Sequence, residues 1–185
     1  MKGFIRNDPL FSLCGLNCGL CPMKLGGHCS GCGIEGRSCK IARCSLEHGG
    51  VEYCFQCVEY PCERCGDSDD LDSFITYRNR RSDMEKARRD GIGAYDREQV
   101  EKVELLDTLL THYDDGRRKT LYCVSVNLLK VDEIKEILGA VEADLGSGDA
   151  SVGEKAAYVA QRLRELGAQK DIQLRLRKKR SVKER

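Results

Sequence analysis

The chain has 185 residues, 33% of them charged, with 31 Lys and Arg against 30 Asp and Glu. That length suits one domain, or a small metal module joined to a modest globular part, and a net charge of +1 creates no field that would by itself select nucleic acid or any other partner class. No run of about 18 apolar residues could form a transmembrane helix, and the opening residues lack the apolar core and small-residue cleavage site of a secretory signal, so the reading places the protein in the cytoplasm.

Residues 1–66 come first and carry most of the chemistry. They hold eleven of the twelve cysteines: Cys14, Cys18, Cys21, Cys29, Cys32, Cys39, Cys44, Cys54, Cys57, Cys62 and Cys65. Four C-x-x-C pairs recur, Cys18/Cys21, Cys29/Cys32, Cys54/Cys57 and Cys62/Cys65. Two intervening residues let the chain turn so that both sulfurs face one ion. A secreted chain with this many thiols would suggest a disulfide framework. The missing signal, the odd count and the paired spacing oppose that. In a reducing compartment, thiolates at this density need a metal or stand exposed to oxidation. The segment also contains all three prolines and few periodic apolar runs. It cannot bury enough surface to fold by itself, so ligation must supply the missing stability. Structural zinc contributes about 10–16 kcal/mol of apparent binding energy.

Within the segment, Cys14, Cys18 and Cys21 form a C-x3-C-x2-C trio that needs a fourth ligand, for which His28 and His48 are the candidates. The same spacing holds the cluster of radical S-adenosylmethionine enzymes, but this chain is too short for their partial barrel. Cys29, Cys32, Cys39 and Cys44 make a second quartet. Cys54, Cys57, Cys62 and Cys65 make the cleanest one, two pairs four residues apart with Pro61 stiffening the turn between them. Two or three zinc ions would fit. The alternative is an iron–sulfur cluster, which four-thiolate sites also accept.

After Asp69 the composition changes. Residues 70–90 read as a helix with Leu71, Phe74 and Ile75 on one face, ended by Gly91 and Gly93. Asp96 reads as the N-cap of a helix through Tyr113, broken by Asp114-Asp115-Gly116. In 120–129, Tyr122, Val124, Val126 and Leu128 alternate like a strand, although Leu121, Val124 and Leu128 would also suit a helix; strand is the preferred reading. Asp132 to Leu145 is helical. Ser151 and Glu154 form a capping box for a helix stopped by Gly167. Residues 172–177 alternate as an edge strand able to pair with 120–128.

Cys123 sits in an apolar run without a matching base and reads as a small core residue. Asp69/Asp70 and Asp114/Asp115 read as turn residues rather than an acid/base pair. No phosphate-binding glycine loop, nucleophile elbow or H-E-x-x-H occurs, so an enzyme is the minority reading. Residues 170–185 are basic, eight Lys and Arg against two acids. A nucleic-acid contact through this tail is the third reading. It is weakened by the cysteine segment, where seven Lys and Arg in 1–65 face six acids.

Several of these residues resemble the uncharacterised cysteine-rich domain-of-unknown-function 3795 family of bacteria and archaea. The resemblance is carried by Cys14-Gly15-Leu16-Asn17-Cys18-Gly19-Leu20-Cys21-Pro22, by Cys29-Ser30-Gly31-Cys32, by Cys39 and Cys44, and by Tyr53-Cys54-Phe55-Gln56-Cys57 with Tyr60-Pro61-Cys62. It continues more loosely through Gly116-Arg117-Arg118-Lys119, Leu121-Tyr122-Cys123, Val126-Asn127-Leu128-Leu129 and Leu174-Arg175-Leu176-Arg177-Lys178-Lys179. It implies zinc binding and no particular reaction.

The sequence therefore leads to these expectations. The fold class is α+β, with a cysteine-rich, loop-rich metal module over 1–66. That module packs on a mostly helical part, 67–185, containing a short two-stranded element. The function is that of a zinc-binding scaffold with structural thiolate sites, a protein partner and no membrane.

Overall fold

Where the sequence pattern suggests a short two-stranded element, the chain builds helix and irregular turns instead. A computed structural model describes residues 4, 6–32, 39–66, 71–146 and 150–178. The described residues form eight α-helices: α1 Pro22–Leu25, α2 Lys40–Glu47, α3 Glu63–Gly66, α4 Arg80–Asp90, α5 Ile92–His112, α6 Lys119–Leu128, α7 Val131–Leu145 and α8 Val152–Gln169. Single 3-10 turns cover Cys18–Leu20 and Cys54–Gln56. Among the described residues there is no strand, and the β-type pairing present is an isolated bridge between Phe11 and Asn17. The α+β class is thus corrected to an all-helical one.

The reason lies in burial. No residue from Tyr122 to Asn127 is more than 4% exposed. The alternation of Tyr122, Val124 and Val126 therefore marks no apolar face, because the intervening Cys123, Ser125 and Asn127 are buried too. An element covered all round can be a helix as easily as a strand. Here α6 keeps its polar side chains within the helix or next to it. Asn127 Nδ2 donates to Cys123 O at 2.8 Å, and Tyr122 Oη donates to Tyr113 O at 2.6 Å.

Residues 172–177 are irregular, with a bend at Arg175 whose amide donates to Gln173 O at 2.9 Å, and they form no ladder among the described residues. Asp72 takes the place of a ladder partner. It accepts from the Arg177 amide at 2.8 Å and from the Arg177 guanidinium at 2.9 Å, and its own amide donates to Arg177 O at 2.9 Å. Asp72 also accepts from the Tyr77 amide at 2.9 Å. Such side-chain-to-backbone bonding competes with helix, and α4 starts only at Arg80. The helix expected over 70–90 is shortened accordingly. Gly91 ends α4 with φ +84°, whereas Gly93 and Asp96 lie inside α5. Gly167 does not stop α8. The chain folds back over it, and a Cβ there would meet Ile172 O at 2.7 Å.

The chain divides into two compact units, Met1–Gln99 with Leu176–Arg185, and Val100–Arg175. The boundary falls within α5. The second unit has an aliphatic core. Leu105, Leu106 and Leu109 of α5, Ile134 and Val141 of α7, and Val159 and Leu163 of α8 are all buried. Asp114 starts α6 by accepting from the amides of Gly116 and Arg118 at 3.0 and 2.9 Å, as a turn residue should. The expected capping box opens α8, with the Glu154 amide donating to Ser151 Oγ at 3.3 Å and the Ser151 amide donating to Glu154 Oε2 at 2.8 Å. Cys123 is 3% exposed, a core residue. Among the described residues no helix is long and apolar enough to cross a membrane.

The first unit has a small aromatic cluster in addition to buried Leu13, Leu20 and Ile75. Phe11 stands 4.6 Å from Tyr95 and 6.0 Å from Tyr53, ring centre to ring centre, and Tyr53 stacks on Phe55 at 5.2 Å. Met84 and Ala87 of α4 complete it, together with Cys65.

Candidate metal centre

Three of the four C-x-x-C pairs are each one short turn. The amide of Cys21 donates to Cys18 O at 3.2 Å, that of Cys57 to Cys54 O at 3.0 Å, and that of Cys65 to Cys62 O at 3.1 Å. The first cysteine opens a helical turn, and the second closes it. Cys21 is also the N-cap of α1, where Pro22 supplies a fixed φ. Cys39 caps α2, its Sγ accepting from the Ala42 amide at 3.5 Å. All twelve cysteines are free thiols.

The loop around Cys14 is pinned to α4 and α5. Asn17 donates to Asp83 at 2.8 Å and accepts from Tyr95 Oη at 2.8 Å. Gly15 has φ +88°, and a Cβ there would lie 2.4 Å from Met84 Cγ and 2.9 Å from the carbonyl oxygen of Arg80. Only glycine fits. Cys14 Sγ lies 3.4 Å from Ser12 Oγ. The last cysteine segment is tied in when the Cys54 amide donates to Leu13 O at 2.9 Å.

The sulfurs influence one another across segments. Burial is the main force raising the Cys14 thiol, and Cys39 and Cys65 add to it. Burial likewise pushes Cys18 up to about 12, assisted by Cys14, Cys32 and Cys21. It pushes Cys32 up to about 11, assisted by Cys14 and Cys39. Cys54 is raised first by a hydrogen bond with the Cys65 thiol, then by burial, with Cys14 and Cys62 nearby. Cys14 is thus within electrostatic reach of Cys18, Cys32, Cys54 and Cys65, so thiols of separate segments influence one another. Among the described residues, no three ligating side chains already converge on one point.

Cations accompany the thiols, and the spacing argument did not find them. Arg80 acts on Cys14, Lys24 on Cys18 and Arg6 on Cys32, each favouring the thiolate. Cys18 and Cys32 line a cavity of about 80 Å3 together with Arg6, Lys24, Ser12 and Ser30. The Arg6 side chain is only 3% exposed; its Nη2 lies 3.8 Å from Asp8 Oδ2, while its Nε and Nη1 have no hydrogen-bond partner. A buried cation left with open donors beside sulfur suits a site whose sulfurs become anionic. The donor chemistry thus fits a thiolate-bound metal, with Arg6, Lys24 and Arg80 offsetting its negative charge.

The two histidines differ. His28 is exposed. His48 caps the C-terminus of α2, with Nδ1 2.8 Å from Cys44 O and 3.6 Å from Cys44 Sγ, and Nε2 3.2 Å from Glu59 Oε1. The Cys44 carbonyl, then the Glu59 carboxylate, hold its ring above the ordinary histidine value. Arg64 hydrogen-bonds to both the Cys44 sulfur and Glu47. Cys29 and Cys57 are half-buried. Of the basic tail, residues 179–185 lie outside the described residues, and Arg177 is engaged with Asp72.

No protein-family model matches the chain, and no curated protein or solved structure is significantly similar to it.

Proposed function

We propose that this chain is a zinc-binding protein whose cysteine thiolates form structural sites, and that it serves as a scaffold presenting its surface to a protein partner. One observation carries the reading. Cys54, Cys62 and Cys65 pack against a small aromatic core, and a cation acts on each of four thiols: Arg80 on Cys14, Lys24 on Cys18, Arg6 on Cys32 and Arg64 on Cys44. A four-thiolate zinc site carries a net charge of −2, so nearby cations reduce the cost of burying it. Burial keeps the free Cys14, Cys18 and Cys32 thiols protonated at neutral pH, and an ion must displace those protons. A reducing compartment such as the cytoplasm keeps the thiols available. Val58, 97% exposed between the last two cysteine pairs, offers an apolar contact to a partner.

Elemental analysis of anaerobically purified full-length chain, with its visible spectrum, tests this. Two or three zinc ions per chain and no colour are the expected result. Iron with acid-labile sulfide and absorbance near 400 nm would replace zinc by an iron–sulfur cluster and the scaffold by electron transfer or redox sensing.

A further inference from the structure

Cys44 and His48 lie four residues apart at the end of α2, on one face of the helix. Gly49 and Gly50, with φ +83° and +73°, turn the chain back directly after them, and the Gly50 amide donates to Ser45 O at 2.7 Å. The sulfur and Nδ1 are thereby held 3.6 Å apart. Zinc binds thiolate at about 2.3 Å and imidazole nitrogen at about 2.0–2.1 Å, so the S···N edge of a tetrahedral site measures about 3.6 Å. The pair already has the spacing that one ion requires.

Its surroundings match as well. Metal-bound histidines give their other ring N–H to a carboxylate, which orients the ring. Here Nε2 faces Glu59 Oε1 at 3.2 Å. Arg64 stands against the Cys44 sulfur and is held by Glu47 at 3.0 Å, in place to offset thiolate charge.

We propose that Cys44 and His48 are a sulfur–nitrogen ligand pair for one divalent metal ion, with Glu59 as the carboxylate that orients the imidazole. This rests on the metal-binding reading above and names the nitrogen donor that reading leaves open. Binding balances simply. The Cys44 thiol loses its proton, and so does Nδ1, which in the metal-free form donates to Cys44 O at 2.8 Å. Both protons go to solvent, while Nε2–H stays on Glu59. Two further donors complete a four-coordinate ion.

The test uses the full chain, reduced and loaded with Zn2+ or with Co2+ as a spectroscopic probe. Addition of Zn2+ should shift the 15N resonance of His48 Nδ1, and His48→Ala should bind one ion fewer than wild type. His48→Cys should restore the count while moving the Co2+ bands to lower energy, as an added thiolate does. Glu59→Gln should weaken this ion about 10–100-fold in chelator competition. His28→Ala should change none of these. An unmoved His48 resonance in a chain that does bind zinc would overturn the pair assignment alone. So would a Cys44 thiol that iodoacetamide alkylates equally fast with and without zinc, which would make Cys44 a nucleophile instead. A wild-type chain that takes up neither metal would overturn the metal reading itself.

Discussion

The two units are stabilised by different chemistry. Val100–Arg175 buries leucine, isoleucine and valine from four helices. In the first unit, a cluster of Phe11, Tyr53, Met84, Ala87 and Tyr95 is joined by a few buried aliphatic side chains, Leu13, Leu20 and Ile75. The rest of its structure hangs on directed bonds: Asn17 between Asp83 and Tyr95, Asp72 between Tyr77 and Arg177, and the turns across the cysteine pairs. Area burial is forgiving, since no one atom decides it. Directed contacts are not, and a unit built from them gains most from a ligand that fixes several segments at once.

Metal removal should separate the units most sharply. Chelation under reducing conditions takes away about 10–16 kcal/mol for each structural ion. Amide exchange should then lose protection around Cys14–Cys65, while α6, α7 and α8 keep theirs. Equal loss in both units would show that the second depends on the first.

Leu163→Ala probes the opposite side of the comparison. Leu163 is fully buried in α8, and the cavity should cost about 2–5 kcal/mol by urea denaturation. Metal content should stay unchanged. A change in zinc per chain would link the aliphatic core to the thiols.

Gly15→Ala should cost about 2–4 kcal/mol, because it adds left-handed strain to a collision with Met84 and the Arg80 carbonyl. The loss should appear in the first unit, with weaker metal retention at Cys14. Wild-type stability would mean that the Cys14 loop is not pressed against α4.

The smallest effect is one of pH. Burial alone would raise the Asp72 carboxyl, but Arg177 and the Tyr77 amide outweigh it and hold Asp72 below its usual value. The folded state therefore takes up this proton less readily than the unfolded chain, whose aspartates titrate near ~3.9. The contribution is fully present above that value and fades as pH falls through Asp72's lowered pKa. Arg177 amide exchange should accelerate only in that acid range. Asp72→Asn should remove the dependence, and a wild-type profile flat to the lowest pH would exclude the clasp.

Much of the molecule is legible in its residues. The cysteine spacing marks where the turns fall, because a C-x-x-C pair closes a turn by itself. The capping box at Ser151 and the turn at Asp114 are equally local and lie where their chemistry predicts. Helix α6 is not legible in this way. Six consecutive buried residues erase the periodicity that separates strand from helix, so only the surrounding helices decide it. The segment 172–177 alternates like a strand, yet the partner that holds it, Asp72, is more than a hundred residues away in sequence. The cations beside the thiols are equally remote. Nothing local to Cys14 announces Arg80, and nothing local to Cys32 announces Arg6. Residue spacing by itself determined the turns at three of the cysteine pairs, the turn at Asp114 and the cap at Ser151, all of which depend on neighbours within four or five positions. Which sulfurs meet, which cations face them and whether an apolar run coils or extends were decided by tertiary structure, because each depends on groups that only folding brings within a few ångströms.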